Sequence, residues 1–184
     1  MRQEWKQLMK LKGKSLVELA GSRFVMVRDK GENAMRIQCP EPFIHWAVFS
    51  EDTGEAAERG FWRLNFTENQ FGEDILLLHE QGTPEPLNYI YNLDDLKKID
   101  SHIAQKHVYV METSYSFSFS VIKEISGYGF FNQNEALLYT LLIETKDEFL
   151  LIESCPAALD IKITEHPPSL PNHPAPLTSL FTTN

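Results

Sequence analysis

Two cysteines, Cys39 and Cys155, are all the thiol chemistry that this 184-residue chain contains. Neither belongs to a CxxC pair, and two thiols so far apart exclude a disulfide-stapled scaffold. They read as reduced thiols, as expected of a cytoplasmic protein. Long apolar runs are missing as well. No stretch approaches the roughly 20 residues that a bilayer-spanning helix needs. The N-terminal MRQEWKQLMKLKGK is basic but has no apolar core, so it does not read as a secretion signal. Positive charge is the third shortage, with 17 Lys and Arg against 26 Asp and Glu and a net charge of −9. Residues 1–38 carry nine cations against four acids, so the deficit falls on the remainder. An acidic body excludes non-specific nucleic-acid binding, which depends on clustered cations to release counterions. It suits a basic protein partner instead.

Catalytic signatures are absent too. The six histidines form neither HxH nor HExxH, so neither a metal nor another cofactor is expected. There is no GxSxG elbow, and Cys155 lacks a neighbouring base. Gly127-Tyr128-Gly129 has no third glycine and no lysine, which leaves a loop between strands rather than a phosphate cradle. Glu80, Glu112, Glu144 and Glu153 end or interrupt apolar strand runs. Such acids are solvated gatekeepers against aggregation, unless the fold brings them to one rim. The sum of these absences favours a binding module over an enzyme.

What the chain does have is aromatic residues and β-type alternation. Twelve Phe, six Tyr and three Trp favour a sheet-rich core. Trp5, Leu8 and Met9 fall at i, i+3 and i+4 and predict an N-terminal helix, followed by a short helical or extended SLVELAG. Residues 23–39 read as a hairpin that Cys39-Pro40-Glu41-Pro42 terminates, because proline offers no donor. Strands follow over 43–50, 61–67 and 74–80, the first two separated by the acidic connector EDTGEAAERG, and then a short LNYIYN. The stripe Leu93, Leu96, Ile99, Ile103, with Asn92 as cap, predicts a helix over 92–106.

The last third predicts strands over 107–125, 136–145, 148–153 and 159–165. The first of these would be about 60 Å long if unbroken, so a bend, a bulge or a break is expected, near Glu112–Ser114. Five of the ten prolines fall after His166. The expected organisation is therefore one globular domain over 1–165 and an extended tail over 166–184, whose Leu177, Leu180 and Phe181 are candidate docking residues. The expected fold is α+β and mainly antiparallel, a strongly curved sheet or partly open barrel with two or three helices.

Within 107–125, residues 114–120 read SYSFSFS, an alternation of period two that places Ser114, Ser116, Ser118 and Ser120 on one face. That face is either solvated, packed under a second layer, or lining a cavity, where small side chains leave volume and hydroxyls supply hydrogen bonds. The other candidate contacts are aromatic or cationic: Phe130 and Phe131, which adjacent loop positions cannot both bury, and Trp62 with Arg63. Three functions compete. The first is a non-enzymatic interaction module with a basic partner. The second is a small-ligand binder or enzyme with its site inside the curved sheet beside the serines. The third is attachment to an anionic membrane through helix 2–12, which needs the Trp5 stripe exposed.

Overall fold

The i, i+3 spacing of Trp5 and Leu8 folds the N-terminus into one short helix, and the other regular elements described are strands. The computed structural model describes residues 1–21, 25–29, 34–70, 72–82, 107–111, 114–156 and 158–183. Helix α1 is Gln3–Met9. The strands are β1 (Ser15–Ala20), β2 (Val25–Asp29), β3 (Ala34–Cys39), β4 (Phe43–Phe49), β5 (Ala56–Glu68), β6 (Asp74–Gln81), β7 (His107–Met111), β8 (Ser114–Asn132), β9 (Glu135–Thr145), β10 (Phe149–Cys155), β11 (Ala158–Thr164) and β12 (Thr178–Thr182). Neighbours run β6-β5-β4-β1-β8-β9-β10-β11-β3-β2-β7, with β12 paired to β8 off this path. Every pairing is antiparallel.

The sheet does not close into a barrel, since β6 and β7 end the path. The described residues hold one short helix rather than two or three. The helix expected over 92–106 and the strand over 87–92 lie outside them.

The curvature comes from β8. Its first part pairs with β1 and its second with β9, so one strand belongs to two layers. β6 folds over β9 and β10, and β5 over β11. The facing side chains interdigitate: Leu16, Ile44, Trp62 and Leu64 from one layer meet Ile125, Leu141, Ile152 and Ile161 from the other, all buried. Each such aliphatic side chain contributes about 1.5–3 kcal/mol by leaving water. Trp5 and Leu8 of α1 join this core, which removes the membrane-helix reading. No described helix is long and apolar enough to cross a membrane.

SLVELAG takes the extended of its two expected forms, because β4 and β8 supply ladder partners on both sides of it. Two local expectations change. β5 begins at Ala56 within the acidic connector, since charged side chains are tolerated where both faces of a ribbon stay wet. Gly127-Tyr128-Gly129 lies inside β8 rather than in a loop. These glycines permit close approach: a Cβ on Gly127 would come within 2.2 Å of the Phe181 ring, and one on Gly129 within 1.9 Å of the Leu137 carbonyl oxygen.

The tail closes this region. β12 pairs with β8 through Thr178↔Gly129 and Thr182↔Ser126, and Phe181 sits 5.2 Å from Trp5, ring to ring. Thr183 adds two bonds to Ile125: its hydroxyl accepts from the Ile125 N–H at 2.9 Å, and its own N–H donates to the Ile125 carbonyl at 3.0 Å. Phe181 therefore anchors the proline-rich segment to the core through a glycine notch. Replacing it, Phe181→Ala, should cost about 3–5 kcal/mol in urea unfolding. A loss below about 1 kcal/mol would show that the tail is not part of the folded unit.

Candidate functional site

The SYSFSFS segment does not keep its alternation. Leu16 of β1 pairs with Ser120 and Glu18 with Ser116, so Val17 alone faces the three residues 117–119. The extra length bulges through Ser118 and Phe119, whose φ values are 50° and 61°. The left-handed region costs a residue with a Cβ roughly 1–2 kcal/mol, so this backbone is strained. The consequence is a reversal of facing. Phe117 is buried at 3% exposure, Phe119 stands 55% exposed, and Ser120 turns inward at 3%.

The four serines therefore form no common face. Ser114 is half-buried, Ser116 and Ser118 are exposed, and the Ser120 hydroxyl donates to Asp147 at 2.7 Å. The Tyr115 hydroxyl likewise donates to Glu148 at 2.7 Å. Two bonds thus tie the β9–β10 turn to β8, and the serine row is partly structural.

What the bulge presents is an aromatic side chain. Phe119 meets Phe49 edge to face at 4.9 Å, with Val121 40% exposed nearby along the strand. Directly after Phe49 comes the hairpin that the Ser50 and Glu55 backbone groups close. It carries Glu51, Asp52, Glu55 and Glu58, all exposed, with no cation before Arg59. Lys14 is engaged locally, bonding Glu58 at 2.8 Å and lying 3.6 Å over the Trp46 ring. On the same layer's outer face His45 stacks on Phe61 at 4.6 Å. Burial holds His45 below its ordinary pKa, with Glu18 opposing and Arg59 adding.

The other sequence candidates separate. Trp62 is 1% exposed in the core, while Arg63 faces outward and donates to Glu41. Phe130 and Phe131 lie in β8, not in a loop, so they point to opposite faces: Phe130 is buried and stacks on His173 at 5.0 Å, and Phe131 is 65% exposed. The carboxylates do not converge. Glu80 is exposed on β6, Glu144 lies 3.6 Å from Lys123, Glu153 is on β10, and Glu112 lies outside the described residues. Among the described residues no three His, Cys, Asp or Glu side chains are grouped to hold a metal.

Sequence reasoning missed a groove on the outer face of β9–β11. Glu153 stands directly across from Asp160, and Arg36 directly across from Lys162. Tyr139 joins them because β9 is bulged there: Tyr128 pairs with Thr140 and Gly129 with Leu138, leaving Tyr139 to swing outward. Burial, then Asp160, pushes the Glu153 carboxyl above its ordinary value, against the pull of Arg36 and Lys162. No family model, no curated protein and no solved structure matches this chain.

Because the folded chain prefers Glu153 protonated, the associated stability is complete below the ordinary carboxylate value and is lost as pH rises through the raised one. Glu153→Gln removes that loss. In thermal unfolding the variant should melt above the wild type near pH 7, and the two curves should converge as pH falls toward 4.5. A variant that melts lower than the wild type at neutral pH would contradict this electrostatic picture.

Proposed function

We propose that the chain is a non-enzymatic interaction module, and that its partner is a basic protein segment carrying an apolar side chain. The observation that carries the reading is Phe119, held 55% exposed by a backbone that costs free energy to maintain. A merely structural Phe would be free to turn inward with Phe117, as the alternation of the sequence favours. Its neighbours supply the rest of a recognition surface: Phe49 and Val121 as apolar floor, and the exposed Glu51, Asp52 and Glu55 of the hairpin as an anionic rim, Glu58 being paired with Lys14. An apolar centre with a charged rim gives affinity from the first and steering from the second.

The reading of a ligand enclosed beside the serines has less support. The Ser120 hydroxyl is bound to Asp147, Ser116 and Ser118 face outward, and neither described cavity includes any of the four.

Synthetic peptides test the proposal. A peptide of alternating lysine and leucine should bind in fluorescence anisotropy, and binding should weaken as salt rises from about 50 to 500 mM. Phe119→Ser should lower its affinity at least about tenfold, equivalent to about 1.4 kcal/mol. Neutralising Glu51, Asp52 and Glu55 to Gln should flatten the salt dependence. Equal binding of a glutamate–leucine peptide, or indifference to Phe119→Ser, would overturn the assignment.

A further inference from the structure

Two arms of opposite charge stand beside the Phe119 surface, and neither neutralises the other. The cationic arm is the N-terminal segment, where residues 1–14 hold five cations against the single acid Glu4. Burial of Trp5 and Leu8 turns the far side of α1 outward, and Lys6, Lys10 and Lys12 are exposed. Arg2 is engaged by Glu4 at 3.8 Å and by Glu135, and Lys14 by Glu58 at 2.8 Å. Lys6, Lys10 and Lys12 make no ion pair among the described residues. No acid lies three or four positions from Lys6 or Lys10, which stand at i and i+4 to each other, where like charges repel.

The anionic arm is the hairpin that follows Phe49. Residues 50–58 hold four acids and no cation. Glu58 is taken by Lys14, which leaves Glu51, Asp52 and Glu55 exposed and without an ion pair among the described residues. Arg59, next along β5, stands opposite Ala47 and close enough to His45 to act on its charge. Three free carboxylates therefore answer three free ammonium groups.

The backbone sets the two arms side by side. The Gly13 N–H donates to the Ile122 carbonyl at 2.8 Å, and the Ile122 N–H donates to the Lys14 carbonyl at 2.9 Å. Residues 13 and 14 thus lie against β8 just past Val121, and the Lys14 side chain reaches the base of the hairpin. The bases of the arms are joined there, yet beyond that bond their charges stay apart within one chain.

Partners can be weighed against this arrangement. An unrelated basic protein would satisfy the hairpin and leave the three lysines unanswered. An anionic membrane or nucleic acid drawn to the lysines would be repelled by the hairpin beside them. A second copy, turned about a two-fold axis, sets each arm against its opposite, and every contact then occurs twice. Exposed ion pairs are individually weak, so this doubling matters, and so does the apolar surface of Phe119, Phe49 and Val121 beside them.

We propose that the chain forms a two-fold symmetric dimer in which Lys6, Lys10 and Lys12 of each copy face Glu51, Asp52 and Glu55 of the other. The inference rests on the reading of the Phe119 surface as a site for a basic segment. It names that segment as residues 6–12 of a second copy, whose Met9 is only partly buried.

Sedimentation velocity on the full chain at about 100 μM should show a dimer in about 50 mM salt that dissociates toward about 500 mM. The triple reversal Lys6→Glu, Lys10→Glu, Lys12→Glu should leave a monomer, and so should Glu51→Lys, Asp52→Lys, Glu55→Lys. Mixed in equal amounts, the two reversed chains should form a heterodimer, because every pair is restored with its signs exchanged. The milder replacement of the three lysines by Gln keeps helix propensity and should weaken the dimer at least about tenfold, so the outcome does not depend on the reversed chains folding. A wild type that is monomeric at low salt, a dimer that the Gln variant leaves intact, or folded reversed chains that stay monomeric when mixed would overturn the proposal. Peptide binding separates the two readings. A monomeric chain that still needs Phe119 to bind the lysine–leucine peptide would discard the second copy alone, whereas one indifferent to Phe119→Ser would discard both.

Discussion

Strand β8 carries a constraint that organises the rest of the molecule. Its first part pairs with β1 in one layer and its second with β9 and β12 in the other. A strand with strict two-residue periodicity cannot change which set of side chains faces inward. β8 does so by inserting Phe117–Phe119 opposite the single residue Val17, with two residues in the left-handed region. Before the bulge Tyr115 and Phe117 turn toward the core. After it Ser120 and Ile122 do. The exposed Phe119, the inward Ser120 and its bond to Asp147 all follow from this one backbone event.

The regular part of this architecture was legible in the residues. Trp62, Leu64 and Phe66 marked one face of β5, and the N-terminal helix followed from Trp5, Leu8 and Met9. The prolines after Cys39 correctly ended β3. What stayed hidden depends on partners distant in sequence. Nothing in SYSFSFS itself announces the bulge, because its cause is the register that β1 imposes. Gly127 and Gly129 read as loop residues, and their need for small size appears only once Phe181 and the Leu137 carbonyl lie against them. A pair of adjacent phenylalanines suggested a loop, yet in a strand the two simply take opposite faces.

The candidate sites divide in the same way. Of the aromatics the sequence singled out, Trp62 and Phe130 are core and Phe131 is exposed, while Phe119, which it did not single out, is exposed as well. The groove was illegible because Arg36, Tyr139, Glu153, Asp160 and the tail come from five separate segments. Only the cross-strand registers Glu153↔Asp160 and Lys162↔Arg36 bring its charges together. Two surfaces of different chemistry result. One is apolar with an anionic rim, and the other is a concave groove that holds two carboxylates and two cations and is walled by the proline-rich tail.

Thiol labelling at two positions of β8 tests the central claim most directly. In a background where Cys155 is Ser and the buried Cys39 is retained, Phe117→Cys and Phe119→Cys are compared for reaction with a soluble maleimide. The inverted strand predicts that the residue 119 thiol reacts at close to the rate of the unfolded chain, while the residue 117 thiol is protected at least about a hundredfold, its labelling requiring the strand to open. Equal protection at both positions would mean that β8 keeps one face throughout, and would contradict the account.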